Sequence, residues 1–232
     1  MLNLLDTKKR WNRRKTARPA ELLDAAIHMF TEKGFATTKL EEVAARAGVS
    51  KGTLYLYYQN KEELFKAVVN ETFLPLIEDL KNRELEHLGS ISELLQKDFL
   101  QWWTHVGCTP LGGIPKLMIT EACNFPELSR FYNEKIIDPW RRHIVSLLEK
   151  GVSRGEFRPM DAEYTAWVLH APMVMLACWT HSMDRCLEEK IEPIRYIHAH
   201  IKSCLFGLLN ENSEFRQTGT LVDCPRPADG AE

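Results

Sequence analysis

A three-residue turn at Gly48–Ser50 separates two short amphipathic segments, and it constrains the fold more than any other feature of this sequence. The apolar residues of Leu40–Ala47 recur at the spacing of one helix face, and we expect that helix to end at Gly48. Gly48 can adopt a positive φ, and the hydroxyl of Ser50 can cap a following helix predicted over Lys51–Tyr58. Two short helices joined by so tight a turn are typical of a helix-turn-helix.

The flanking segments supply supporting helices. Leu23–Phe30 repeats apolar residues at helical spacing, with Pro19 expected in the first turn and Gly34 just past the end. Thr38–Glu41 has the spelling of a capping box, in which the threonine caps the second helix and the glutamate reaches back. Asn60–Glu63 is a second capping signature, and it opens a fourth predicted helix.

The third predicted helix has one face toward the core and another toward solvent. At 3.6 residues per turn, Leu54 and Tyr58 lie on one side of this helix. Gly52 and Leu56 lie on the opposite side, where a glycine would let the backbone approach DNA and a leucine would suit a thymine methyl group. The residues by themselves leave open a three-helix core with a few exposed tyrosines. The outward-facing candidates for DNA contact are Lys51, Gly52, Thr53, Tyr55, Leu56 and Tyr57.

Charge is distributed unevenly along the chain. Residues 1–66 hold thirteen Lys or Arg against eight Asp or Glu, whereas residues 67–232 hold seventeen against twenty-four. A basic module joined to an acidic body fits a DNA-binding protein, although the whole chain has a formal net charge of only −2. The run from Lys8 to Arg18 has seven basic residues and no acid. This arm is either an ordinary solvated tail or an arm that binds phosphates or the minor groove.

The string from Gly34 to Phe65, GFATTKLEEVAARAGVSKGTLYLYYQNKEELF, resembles the DNA-binding signature of the TetR family of regulators almost position by position. The resemblance covers about residues 18–66. It implies a homodimer that reads a palindromic operator in double-stranded DNA, with a ligand-binding and dimerisation domain after the helix-turn-helix. Leu56 stands where the family often has His or Tyr. The positions that the resemblance assigns to operator contact are Thr38, Lys51, Gly52, Thr53, Tyr55, Tyr57 and Lys61.

The rest of the chain is predicted to be helical, which makes the expected fold all-α and TetR-like. The fourth helix is expected to continue past Pro75 with a kink at that residue. Loops are expected at Gly107–Gly113 and toward the end of Gly151–Pro159. Further helices are predicted over Ile91–Val106, Pro115–Cys123, Glu127–Arg154, Ala162–Cys186 and Pro193–Leu209.

The last two predicted helices are candidates for a dimer interface. Tyr164–Trp179 is apolar on nearly every face, so a helix there must be covered on both sides. The final helix carries an apolar stripe from Ile194 to Leu208. We expect one side of this pair to pack on its own subunit and the other on a second copy, as the resemblance also implies.

The C-terminal body is rich in Trp, Met and His, and the resemblance implies an inducer cavity there. Flexible methionines and flat aromatic rings suit a small ligand that is bulky and apolar or cationic. Glu121 stands among apolar neighbours in the sequence, and a buried carboxylate would need a cationic partner or ligand. Plain core packing is the alternative for each residue. The candidate cavity residues are Trp102, Trp103, Met118, Glu121, Trp167, His170 and Met173.

Several classes of site lack support in the sequence. No GxSxG, HExxH, P-loop or GxGxxG motif occurs, so we assign no catalytic residue and expect no cofactor. His181, Asp184 and Cys186 lack the spacing of a metal site, and so do His198 and His200. The six cysteines are scattered without a CxxC pair, which favours reduced thiols over a disulfide framework.

The sequence also lacks the features of a membrane or secreted protein. The longest apolar stretch, Ala166–Trp179, is interrupted by His170 and Pro172 and is shorter than the ~20 residues of a membrane span. The N-terminal segment places its charges after a short apolar stretch, the reverse of the signal-peptide order. We therefore expect a cytoplasmic protein without a membrane partner, associated with the nucleoid when it binds DNA.

These features define four predicted segments: a basic arm at 1–17, a helix-turn-helix domain at 18–66, a helical ligand-binding and dimerisation domain at 67–210, and a disordered tail at 211–232. The leading hypothesis is a transcriptional repressor that a small, largely apolar ligand releases from its operator. The second is a DNA-binding regulator without such an inducer, either constitutive or controlled by a protein or by thiol oxidation. The third is a helical enzyme or adaptor with an incidental helix-turn-helix.

Overall fold

The computed structural model describes the backbone of residues 4–209, and the side chains of residues 19–209 apart from Arg185. Short π-helical turns follow α6 and α8, and an isolated antiparallel β-bridge pairs Phe157 with Leu209. The regular structure of these residues is otherwise helical, which confirms the predicted all-α fold. The predicted tail at 211–232 lies outside the described residues. The α-helices are α1 (Leu4–Lys33), α2 (Leu40–Arg46), α3 (Lys51–Tyr55), α4 (Lys61–Thr72), α5 (Leu74–Glu86), α6 (Ile91–Trp102), α7 (Gly113–Glu121), α8 (Pro126–Tyr132), α9 (Asp138–Ser153), α10 (Ala162–Thr180) and α11 (Pro193–Leu208).

The first helix is longer than the sequence pattern predicts. Because α1 begins at Leu4, residues 4–17, which we assigned to a separate arm, are continuous with the helix. Pro19, expected in the first turn, lies inside α1. The segment 4–18 contains no glycine or proline, so nothing in its composition interrupts a helix before that point.

The region around the turn differs from the prediction at two helix ends. Lys39 is the N-cap residue of α2, one position later than expected, and its N–H donates to the Glu42 carboxylate at 3.5 Å. Thr38 cannot serve as the cap because it is buried and its hydroxyl donates to the carbonyl oxygen of Gly34 at 2.7 Å. At the other end, α3 stops at Tyr55, so the reading helix is shorter than predicted.

Proline positions explain most of the other differences. α4 ends at Thr72 and Pro75 lies in the first turn of α5, so the expected kink is a break between two helices. Pro139 lies in the first turn of α9, and the predicted helix over 127–154 is divided there into α8, a π-helical turn and α9. Proline has no N–H for the i−4 hydrogen bond and is favoured where helices begin. α10 ends at Thr180, and no helix of the described chain is long and apolar enough to cross a bilayer.

The apolar core consists of two clusters. The first joins α1–α4 with α7 and α8, and within it the rings of Phe30, Phe35 and Phe65 lie 5.3–5.9 Å apart. The second joins α5, α6, α9, α10 and α11. Val68 of α4 and Leu117 of α7 belong to the first cluster, which therefore crosses the domain boundary that we predicted between residues 66 and 67. The helix-turn-helix and part of the body share one core.

Candidate DNA interface and ligand cavity

The helix-turn-helix presents α3 at the surface. Ser50 caps this helix, and its Oγ accepts the N–H of Thr53 at 3.1 Å. Leu54 is fully buried in the first apolar cluster and fixes the rotation of the helix about its axis. Leu56 is 84 % exposed on the other side, an exposure that packing within the protein does not explain. The exposed apolar side chains of this face are Tyr55, Leu56 and Tyr57.

Gly52 and Lys51 lie on the same face. Within 4 Å, a Cβ atom on Gly52 would meet only Ser50 Oγ, at 3.9 Å, so packing among the described residues does not require a glycine here. The Lys51 ammonium lies 2.6 Å from a carboxylate oxygen of Glu41, and this hydrogen bond raises the pKa of Lys51. The ammonium also lies 5.6 Å from the centre of the Tyr55 ring. Gly52 leaves the backbone accessible, and Lys51 places a positive charge next to it. Both features suit contacts with DNA phosphates.

Two residues that the resemblance assigns to operator contact form hydrogen bonds within the domain. Thr38 is buried, which corrects the expectation that its side chain reaches DNA. The Lys61 ammonium donates to the carbonyl oxygens of Phe35 at 2.6 Å, Ala36 at 2.7 Å and Thr38 at 3.3 Å. Partial burial lowers the pKa of Lys61. Both side chains therefore hold the loop between α1 and α2 through hydrogen bonds to backbone carbonyl oxygens.

The body contains a partly open cavity of about 790 Å³, which is within the usual size range of small-molecule sites. Its walls come from α5 to α10 and are almost entirely apolar. Four of the residues predicted from the sequence line it: Trp102, Met118, Trp167 and His170. The wall residues that the sequence reasoning missed include Phe73, Arg83, Gln101, Tyr132 and Trp140.

Three predicted cavity residues lie elsewhere. Trp103 packs in the second apolar cluster over Gly107, where a Cβ atom would lie 2.2 Å from the indole ring. Successive helix residues point roughly 100° apart, so Trp103 does not follow its neighbour into the cavity. Met173 is fully buried in the same cluster. Glu121 accepts the N–H of Ala36 at 3.2 Å, so its carboxylate binds a loop of the DNA-binding domain rather than a cavity ligand.

His170 lies in the cavity wall between two indole rings. Its ring centre is 5.8 Å from that of Trp102 and 5.7 Å from that of Trp140. Burial lowers the pKa of His170 to about 4, so the imidazole is neutral at neutral pH. A neutral imidazole supplies one hydrogen-bond donor and one acceptor. This part of the wall is therefore aromatic and polar without being charged.

α7 connects the cavity to the DNA-binding domain. Met118 lines the cavity from this helix. A Cβ atom on Gly113 would lie 2.7 Å from the Thr31 side chain, so α7 touches α1 closely at its first residue. At its last residue, Glu121 accepts the backbone N–H of Ala36 in the loop after α1. α7 therefore contacts the cavity on one side, and α1 and the following loop on the other.

The solvent-facing side of α10 is apolar. Val168 is 64 % exposed and Met175 is 61 % exposed. The predicted stripe on α11, by contrast, is buried from Ile197 to Leu208 in the chain's own second cluster. We call the exposed set the α10 face; it consists of Tyr164, Trp167, Val168 and Met175, with Phe206 of α11. Trp167 and Met175 also line the cavity, so the cavity wall and this surface adjoin.

Comparisons with known proteins agree with this architecture. A family model described as bacterial regulatory proteins, tetR family, matches residues 22–68, and one described as AefR-like transcriptional repressor, C-terminal domain, matches residues 95–189. The HTH-type transcriptional regulator YfiR of Bacillus subtilis is 34 % identical over 152 residues, covering 63 % of this chain and 71 % of YfiR. The fatty acid metabolism regulator protein of Bacillus subtilis is 32 % identical over 185 residues, covering 74 % of this chain and 94 % of that protein.

The fold also matches solved structures. The transcriptional regulator FadR from Bacillus subtilis, solved in complex with stearoyl-CoA, superposes with a TM-score of 0.65 at 18 % identity, covering 81 % of this chain and 98 % of FadR. That likeness concerns the fold, whereas the two relatives above 30 % identity carry the family assignment. With its exposed reading helix and helical body, the chain belongs to the tetR family of bacterial regulatory proteins and is a DNA-binding, helix-turn-helix transcriptional regulator.

Proposed function

We propose that this regulator is a homodimeric repressor whose operator affinity falls when a small, largely apolar ligand occupies the cavity of the body. The observation that carries the proposal is the position of α7. This helix lines the cavity through Met118 and contacts α1 and the following loop through Gly113 and Glu121. A ligand in the cavity and an operator on α3 therefore act on one connected set of helices.

On the DNA side, we propose that α3 enters the major groove. The phenol groups of Tyr55 and Tyr57 are exposed and suited to phosphates or base edges, and Leu56 suits a thymine methyl group. Thr53 adds a hydroxyl, which lies 2.8 Å from Ser50 Oγ. Lys51 adds a positive charge that binds phosphates irrespective of sequence.

Two copies are needed to read a palindromic operator, because its half-sites lie one DNA turn apart, roughly 34–36 Å. We place the dimer interface on the α10 face, since a contiguous apolar surface on a helix marks an interaction site. A two-fold axis would make the contact self-complementary, with α10 of one copy packed on α10 of the other. The spacing of the two reading helices then depends on how the body holds each helix-turn-helix.

Ligand control follows from this spacing. A ligand that displaces α7 would move the helix-turn-helix relative to the dimer interface and place the reading helices at the wrong separation. The ligand must bind that separation better than the operator-bound one, since equal affinity for both shifts nothing. A tenfold loss of operator affinity requires a preference of about 1.4 kcal/mol.

The test uses the full chain and an operator selected from random double-stranded DNA. A thermal-shift screen against a compound library finds ligands, and fluorescence anisotropy measures operator affinity with and without each ligand. We expect at least one compound to raise the melting temperature and to weaken operator binding about tenfold or more. Val174→Trp, at a half-buried position of the wall, should abolish its effect, whereas Leu88→Trp, at an exposed position outside the wall, should not.

Two outcomes would contradict parts of the proposal. If selection recovers no palindromic sequence, the chain does not read an operator as a symmetric dimer. If an operator is found but no bound compound alters its affinity, the second hypothesis holds, and regulation proceeds without a small-molecule inducer.

A further inference from the structure

The apolar wall of the cavity continues into side chains that are exposed at the protein surface. Most apolar residues of the wall, such as Phe73, Tyr132 and Trp140, are buried or half-buried. Exposed polar wall residues need no cover, but exposed apolar ones grouped together mark an interaction site or the mouth of a ligand site. We call the exposed apolar residues of the wall the cavity edge; they are Ile119 of α7 and Trp167, Ala171 and Met175 of α10.

The cavity edge lies where α7 and α10 pack side by side in opposite directions. A Cβ atom on Gly112, just before α7, would lie 2.5 Å from the ring of His181, just after α10. Further along, burial raises the pKa of the Cys178 thiol and the charge of Lys116 opposes that shift, so these two wall residues are also close. Ile119 and Met175 each lie one helical turn beyond that pair, so α7 and α10 both contribute to one edge.

The exposed side of α10 suits a second copy of the chain. Residues 164–180 include no Lys, Arg, Asp or Glu, and Glu163 before them is paired with Arg141. A helix surface without charge offers little to a charged partner, whereas two identical apolar surfaces cover each other across a two-fold axis. Ala171 and Met175 belong both to this surface and to the cavity edge. The exposed side chains recur at helical spacing, at Tyr164, Val168, Ala171 and Met175.

We propose that the second copy completes the ligand site, because its α10 face covers the cavity edge of the first copy. This inference rests on the proposed function, since it joins the same cavity to the same dimer interface. Each cavity is then closed only in the dimer, and an occupant contacts apolar side chains of both subunits. By thermodynamic linkage, an occupant that binds the dimer more tightly than the monomer also stabilises the dimer by the same factor.

The test follows the thiol of Cys178, which lines the cavity, and needs neither DNA nor an inducer. Monobromobimane is a neutral reagent that a thiolate alkylates itself with by displacing bromide, and mass spectrometry of peptides from the full chain gives the rate at each cysteine. Val168→Asp serves as the monomer, since Val168 lies on the α10 face but outside the wall. We expect Cys178 to react at least about tenfold faster in Val168→Asp than in the parent dimer. Leu88→Asp, exposed elsewhere, should match the parent, and the exposed Cys123 should react equally in all three proteins.

Dilution of the parent chain repeats the test without a substitution, in case Val168→Asp loosens the fold or does not fold. As sedimentation shows the dimer dissociating, the rate at Cys178 should rise while the rate at Cys123 stays constant. A rate at Cys178 that is the same in dimer and monomer overturns the proposal, and so does a parent chain that is monomeric at micromolar concentration. The proposed ligand control fails separately, if no library compound weakens operator binding even though the dimer protects Cys178.

Discussion

His143 Nε2 lies 2.7 Å from Asp98 Oδ2 in the core of the body, where the Asp98 side chain is fully buried. The other imidazole nitrogen, Nδ1, lies 2.9 Å from Glu84 Oε2, and Arg83 Nε donates to Asp98 Oδ1 at 3.1 Å. These contacts join α5, α6 and α9 through alternating acidic and basic groups. A buried charge is tolerated only while such partners are in place.

Asp98→Asn should therefore lower the free energy of unfolding by roughly 3–5 kcal/mol, because it leaves Arg83 without its buried counter-charge. Asp79→Asn removes a carboxylate from the same Arg83 at the exposed end of the pair and should cost no more than about 1 kcal/mol. Urea unfolding followed by circular dichroism measures both losses. Equal losses would show that the burial of Asp98 does not determine how much the network contributes to the free energy of unfolding.

The protein should lose stability in weak acid through His170. Burial lowers the pKa of His170 to about 4, whereas a histidine in an unfolded chain titrates near ~6.5. Between these values the unfolded chain binds a proton that the folded chain does not, so the stabilisation is full above ~6.5 and disappears as the pH falls toward the folded value. From neutral pH to about pH 5, the loss amounts to about 2 kcal/mol. Thermal melts at pH 7 and pH 5 measure the loss of stability in the parent protein and in His170→Phe. The loss in the variant should be smaller by this amount. An equal loss in both proteins would contradict the role of His170.

Gly52→Ala should stabilise the fold and weaken operator binding. The new methyl group meets only Ser50 Oγ, at 3.9 Å, and alanine is better than glycine in a helix by about 0.5–1 kcal/mol. The same methyl group stands on the face that we propose for DNA, where it should cost roughly tenfold in operator affinity. Gly48→Ala is the control, since the φ of +65° at Gly48 makes alanine unfavourable by about 1 kcal/mol without altering the reading face. If Gly52→Ala binds the operator as tightly as the parent protein does, DNA does not contact the face of α3 that carries Gly52.

Lys51→Met and Lys61→Met should show their effects in different assays. Lys51 is exposed, so its loss should weaken binding to all DNA sequences alike and reduce the salt slope by about 1. Lys61 donates to three internal carbonyl oxygens, so its loss should lower the free energy of unfolding by about 1–3 kcal/mol. Anisotropy at several salt concentrations and thermal melting separate the two effects. If Lys61→Met instead weakened DNA binding and left the free energy of unfolding unchanged, Lys61 would belong to the DNA interface.

Val168→Asp should convert the proposed dimer into monomers. Val168 is 64 % exposed on the α10 face, and two-fold symmetry would bring two new carboxylates into one apolar contact. Leu88→Asp changes a residue that is 97 % exposed elsewhere and should leave the assembly intact. Sedimentation velocity at micromolar concentration distinguishes the species. If the unaltered chain already sediments as a monomer, the α10 face is not a stable dimer interface.

Sequence periodicity predicts which side of a helix is buried, and it does so correctly for α3. The buried Leu54 and the exposed Leu56 both follow from 3.6 residues per turn. Trp102 and Trp103 show where this reasoning ends. Both are large aromatic residues at the end of α6, but only Trp102 lines the cavity, because the helices that pack around them decide which side encloses space. Those partners are distant in the sequence.

Trp140 is a cavity residue whose apolar helix face is visible in the sequence, although its place in the cavity is not. It lies at helical spacing from Ile136 and Ile137, which also line the cavity, so an apolar face is visible in the sequence. What that face encloses depends on helices far along the chain. Thr38 illustrates an error of register, since the capping-box spelling fits Thr38–Glu41, but the Thr38 hydroxyl is taken by the Gly34 carbonyl and Lys39 becomes the cap.

Because α1–α4 share a core with α7 and α8, the DNA-binding segment α1–α4, here called the DNA reader, cannot be separated from the body without exposing apolar residues. Leu117 and Leu128 pack in the same cluster as Phe30, so a reader cut off after residue 66 would carry an uncovered apolar surface. A chimera that grafts this reader onto another regulator's body must bring α7 and α8 with it or supply a matching surface. Exposed positions such as Tyr55 and Leu56 are under no such constraint, so operator preference is free to diversify while reader and body are inherited as one unit.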